Sequence, residues 1–153
     1  MSDELIRKLT PLAGGWTTEA LVGGRFMARG VTQFAWVAGS QFMMQRVDAE
    51  IAKNVPREWV ENSPFPVTSI IGADDSTGLF TMLYTDARHV HRVVNMAIDD
   101  RVWKLWRDAP GFFQRYAGTF SADGKKITGA WERSSDGTNW ARDFELIYTR
   151  LRT

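Results

Sequence analysis

"YAGTFSADGKKITGAWERSSDGTNWARDFELIYTRL", residues 116–151, is the stretch that decides the fold. It holds two Asp-Gly pairs, Asp123-Gly124 and Asp136-Gly137. Asp-Gly readily takes the positive φ angles of tight hairpin turns. Around these pairs run β-branched and aromatic residues with the two-residue period of strands. The stretch therefore reads as three strands, 113–121, 126–134 and 140–151, joined as antiparallel hairpins. In the last, Trp140, Arg142, Phe144, Leu146, Tyr148 and Arg150 share the more apolar face, which is expected to point inward. In the one before it, Ile127, Gly129, Trp131 and Arg133 are the inward set.

Working back toward the N-terminus, the same punctuation recurs. Breaks at Gly23-Gly24, Ala38-Gly39-Ser40, Ala73–Gly78 and Asp99-Asp100 separate further strands at 15–22, 28–37, 40–49, 67–73, 79–86, 90–98 and 101–107. Phe80, Met82 and Tyr84 share a face of the 79–86 strand. In the 40–49 strand the set Phe42, Met44, Arg46 and Asp48 competes with Met43, Gln45 and Val47; Phe42 and Met44 are taken as inward. About ten evenly spaced strands predict an all-β, antiparallel, closed up-and-down barrel, because closure removes unpaired edges. Only Asp3–Leu12 reads as helical, with Leu5, Ile6 and Leu9 at helical spacing and Pro11 near its end. Glu50–Pro66 is a long connection containing Trp59 and Phe65: either a lid or a loop pinned to the barrel. No linker or repeat divides residues 1–153, so one domain is expected.

Composition narrows the functional classes. The 153 residues are 44% hydrophobic and 24% charged, with a formal net charge of +1. That balance gives no general attraction to nucleic acid or anionic membranes. There is no cysteine, which excludes disulfides and thiolate metal sites. The first residues are polar and lack an apolar core of signal-peptide length, so a cytoplasmic address is expected. Seven tryptophans, nine phenylalanines and a ratio of 14 arginines to 5 lysines stand out. Arginine stacks on rings and binds carboxylates bidentately where lysine does not.

Gly14, Gly15 and Trp16 form a Gly-x-Trp at the start of the first strand. If the first and last strands pair antiparallel, Trp16 lies near Tyr148, Arg150 or Arg152, and a guanidinium can cover the indole. A Gly-x-Trp on strand one with an arginine ending the last strand resembles the signature of the calycin superfamily. Along nearly the whole chain, "LAGGWTTE", "FAWVAGSQFMMQRVD", "FTMLYTDARHVHRV" and residues 116–151 resemble uncharacterised bacterial lipocalin-like domains of unknown function. More distantly the chain looks like nitrobindin-like and fatty-acid-binding-protein-like barrels. The resemblance implies a barrel closed at one end by a short helix, with Gly14, Trp16 and Arg150 structural. Nitrobindin-like barrels hold haem through a late histidine. Here none follows His91, so neither haem nor any other cofactor is expected.

His89 and His91 lack a clear third ligand, with Asp86 the nearest, so no metal site is assigned. No nucleophile motif is present, and no catalytic residue is assigned. Arg46, Arg92, Arg107, Arg133 and Arg142 form one joint candidate for holding an anion, since a buried arginine needs a partner. The expected function is binding of a small apolar or amphipathic molecule, anionic forms included, inside the barrel. Phe42, Met44, Met82, Tyr84, Tyr116, Trp131, Arg133, Arg142, Phe144 and Tyr148 are the expected lining. The alternatives are an isomerase or cyclase using the same cavity, and a filled barrel that associates with a second copy. Neither nucleic acid nor membrane is an expected partner.

Overall fold

The computed structural model describes residues 2–37, 39 and 41–152. Ala38 and Ser40, two residues of the expected break after the second strand, lie outside the described residues. The chain opens with α1 (Ser2–Ile6), which tightens into a 3-10 helix over Arg7–Leu12. Pro11 lies within that helix; it supplies no N–H and forbids regular α continuation. Ten strands follow: β1 (Gly14–Val22), β2 (Arg25–Val37), β3 (Phe42–Ile51), β4 (Val67–Asp74), β5 (Leu79–Asp86), β6 (His91–Ile98), β7 (Val102–Arg107), β8 (Phe113–Phe120), β9 (Lys126–Ser134) and β10 (Ala141–Arg150). The long connection carries a short α2 (Arg57–Glu61), which the sequence pattern did not predict. No helix among the described residues is long and apolar enough to cross a membrane.

Each strand pairs antiparallel with its chain neighbours, and β1 pairs with β10 to close the barrel. The Asp-Gly turns act as the sequence implies. Gly124 and Gly137 take φ of 71° and 79°. Asp123 Oδ1 accepts the Lys125 N–H, and Asp136 Oδ1 accepts those of Thr138 and Asn139.

The closed end is sealed by the N-terminal segment. Leu9 and Leu12 are buried together with Trp16 and Phe34. The Trp16 indole N–H donates to the Leu12 carbonyl at 2.8 Å. Arg150, opposite Trp16 in register, lies 4.0 Å above its ring and donates to the carbonyls of Ala13 and Pro11, both at 2.7 Å. Deeper in the barrel, Trp103 meets Phe34, Tyr116 and Tyr148 at centroid separations of 5.6–5.8 Å. Two inward glycines, Gly118 and Gly129, face one another beside this aromatic cluster. A Cβ on Gly129 would strike the Ala117 carbonyl, so close strand approach requires glycine there.

Three expected orientations are corrected. Met43, Gln45 and Val47 are the buried face of β3, so Phe42 and Met44 point outward and do not line the interior. The physical reason is long-range. Met43 joins Ile71, Phe80 and Met82 in the buried cluster, and the two-residue period carries Gln45 and Val47 inward with it. Arg142 also faces outward. A bulge between Arg142 and Phe144 inserts Asp143, and one extra residue flips the face of everything before it.

Candidate functional site

The end opposite the N-terminal plug is ringed by the β1–β2, β3–β4, β5–β6, β7–β8 and β9–β10 connections. Cross-strand register stacks two inner rows there. The outermost is Arg133, Gln114 and Arg107 on β9, β8 and β7. Two residues deeper lies Phe144, Trp131, Tyr116 and Leu105. From the other side, Tyr84 on β5 pairs with Arg92 on β6 and with Ser69 on β4. The mouth is thus an aromatic wall under a polar rim.

The rim charges are unequal. Asp86 is fully committed: its Oδ2 accepts the Tyr84 hydroxyl at 2.7 Å and Arg88 Nη2 at 2.6 Å, and its Oδ1 accepts the Arg88 N–H at 2.8 Å. Its side chain is closed to solvent. Burial alone would raise the Asp86 pKa, but hydrogen bonds from Arg88 and Tyr84 outweigh it and bring it to about 2. Tyr84 is pushed well up, by burial and then by donating to that carboxylate. Arg92 is left with Gln114 Oε1 at 3.3 Å and the Phe112 ring at 5.5 Å. Among the described residues, no carboxylate lies within ion-pair distance of Arg92, Arg107 or Arg133. The Arg92 pKa is lowered, first by burial and then by the charges of Arg107 and Arg88. Burial raises the Asp143 pKa, against a pull from Arg133. Half-buried cations without counter-ions make a field that favours an anion.

The long connection lies over this rim. Trp59 of α2 meets Phe144 edge-on at 5.6 Å, and the Ala87 N–H donates to the Pro64 carbonyl. Trp131, Phe144, Leu146 and Tyr84 keep partial solvent contact. Tyr116 and Leu105 of the same row, and Trp103 and Tyr148 farther in, are buried and belong to one hydrophobic cluster. The barrel is therefore packed through its closed half and accessible only near the mouth.

The residues read from sequence divide accordingly. Tyr84, Trp131, Arg133 and Phe144 meet at the mouth. Met82, Tyr116 and Tyr148 sit in the packed core. Phe42, Met44 and Arg142 are outside. Arg92 and Arg107, members of the arginine set, join the rim, whereas Arg46 pairs with Asp48 on the outer wall. Gln114 and Arg88 were missed; Trp59, read as part of a lid or as a pin for the long loop, packs against Phe144. His89 and His91 are exposed, and among the described residues no group of three His, Asp or Glu side chains could hold a metal ion.

A broad depression of about 670 Å³ lies elsewhere, on the outer face of β7–β10 around Ala117 and Ala130. Its arginines are already neutralised, Arg115 by Glu132 and Arg142 by Glu145. It lacks the uncompensated charge of the mouth. No protein-family model matches the chain, and neither does any curated protein.

Proposed function

We propose that the barrel binds a small anionic molecule with an apolar body at its open mouth. The reading rests on one observation: Arg92 and Arg107 are half-buried at the mouth and lack carboxylate partners, and the Arg107 row borders the row that holds Tyr116, Trp131 and Phe144. An anion desolvated beside them gains charge-assisted, planar hydrogen bonds. The closed ten-stranded meander with an N-terminal plug supports the likeness to calycin-type barrels, whose interiors carry small ligands; likeness of fold alone assigns no ligand. A cytoplasmic setting and the absence of a resident cofactor belong to the same proposal.

The test is titration with 1-anilinonaphthalene-8-sulfonate, an anionic aromatic probe. Saturable binding is expected, weakened about tenfold in Arg92→Gln, a change of about 1.4 kcal/mol. It should be unaffected in Arg115→Gln on the outer wall. Equal binding by the two variants would remove the mouth as the site.

A second reading, association of two copies, is favoured by the opposite wall. Ala35, Met44, Ile70, Leu83 and Val93 form one outward row across five strands. Of the residues that border it along the strands, only Arg46 carries a fixed charge. Charge depletion around an exposed apolar centre is the composition of an interface core.

A further inference from the structure

The mouth carries more information than a preference for negative charge, because its depth and its charge count both limit the occupant. This inference rests on the proposed binding site and narrows it.

Depth comes from the register. The rim row of Arg133, Gln114 and Arg107 and the aromatic row of Phe144, Trp131, Tyr116 and Leu105 are two residues apart along their strands. At about 3.3 Å per residue this is roughly 7 Å. The packed core already includes Tyr116 and Leu105 of the aromatic row, and it continues through Trp103 in the next row inward. Trp103 is 1% exposed and Tyr116 2%. A long acyl chain finds no room without displacing that core. Between the rim and the core the partly exposed rings of Trp131 and Phe144 present an apolar surface about one ring deep, and Trp59 packs edge-on against Phe144 at its margin.

Charge comes from the pairing pattern. Asp86 is saturated by Arg88, Tyr84 and the Arg88 N–H, so it has no hydrogen bond left to give Arg92. Arg133 is offset in part by Asp143, which leaves Arg92 and Arg107 beside Gln114 with no carboxylate within ion-pair distance. Arg92 and Arg107 stand on neighbouring strands, two residues apart in register. One negative charge leaves an excess; two balance the half-buried pair. Ser69 Oγ, on the same inner row as Tyr84 and Arg92, is 1% exposed and has no hydrogen-bond partner among the described residues. It is a spare hydroxyl immediately below the rim.

We infer that the preferred ligand is a compact aromatic dianion, one ring carrying either two carboxylates or a phosphate monoester, with Arg92 and Arg107 taking the charge and Trp131 and Phe144 the ring. Calorimetric titration at low ionic strength with phthalate, phenyl phosphate, benzoate and dodecanoate separates the possibilities. At least one dianion should bind ten times more tightly than benzoate. Arg107→Gln should weaken the dianions by more than it weakens benzoate and so erase that margin, and its melting temperature shows whether the fold is kept. The order of phthalate and phenyl phosphate identifies the head group. Dodecanoate binding more tightly than both dianions, with its Arg92 dependence intact, overturns the dianion inference and leaves the proposed site standing. Benzoate equal to both dianions also overturns it. No binding of any of the four, together with no Arg92-dependent binding of the naphthalene sulfonate, removes both.

Discussion

Replacing Arg150 with glutamine tests how the barrel is held shut. Arg150 stacks on Trp16 at 4.0 Å and gives two 2.7 Å hydrogen bonds to Pro11 and Ala13. A partly exposed cation–π contact contributes about 0.5–1 kcal/mol. A charged donor's hydrogen bond is worth more than a neutral one, but both carbonyls are only half-buried, so water replaces part of each. We take about 0.5–1 kcal/mol apiece. The expected loss is about 1.5–3 kcal/mol, which for a chain of this size lowers Tm by about 3–12 °C. Thermal and urea unfolding followed by circular dichroism measure it. Arg150→Lys should recover less than half, because a point charge cannot cover the indole and reach both carbonyls. Binding of the naphthalene sulfonate at 20 °C should not change, since the mouth is at the other end. A Tm shift under 1 °C refutes the energetic argument. Weakened ligand binding at unchanged stability means that the ends of the barrel have been exchanged.

Two further outcomes follow from side chains already placed. The folded-state pKa of Asp86, about 2, lies below its ordinary value. Its contribution is therefore fully present above about pH 4 and is lost as pH falls toward 2. Acid unfolding of Asp86→Asn should lack about 1–2 kcal/mol of this pH-dependent stability, whereas an unchanged acid limb discounts the Tyr84–Asp86–Arg88 cluster. If the outer row on β2–β6 joins two copies, light scattering at about 100 µM should give a dimer that Leu83→Lys converts to a monomer; a wild-type monomer ends that reading.

The strands were legible because turn chemistry is local. Asp123-Gly124 and Asp136-Gly137 announce their hairpins, and alternation within β5 and β9 identifies Met82, Tyr84 and Trp131 as inward. The Trp16–Arg150 contact was within reach because antiparallel closure brings the start of one strand to the end of another. Orientation failed where distant partners decide it. Nothing near Met43 indicates that it will pack against Ile71, Phe80 and Met82, and β3 presents two faces of similar polarity. Nothing in "NWARDFEL" marks Asp143 as a bulge, so Arg142 was assigned to the wrong side. The rim was half visible. Its arginines stand out, but that Asp86 is exhausted by Arg88 and Tyr84 is a matter of geometry. The packed floor was illegible for a similar reason: ten strands allow a hollow barrel, and only the meeting of Trp103, Tyr116 and Tyr148 fills it.

The β1–β10 seam also sets a condition on biosynthesis. Arg150 and Ala13 are 137 residues apart in the chain. Closing a loop of that length costs about 4 kcal/mol in chain entropy beyond a constant. The two sides cannot meet until Arg150 has left the ribosome, on the order of 10 s after Ala13 at ordinary synthesis rates. Through that interval β1 offers an open edge, and each newly made strand offers another. Unpaired edges recruit other chains. The nascent protein is thus most exposed to aggregation just before the last strand arrives, and a chain that stalls after Ser134 never leaves that state.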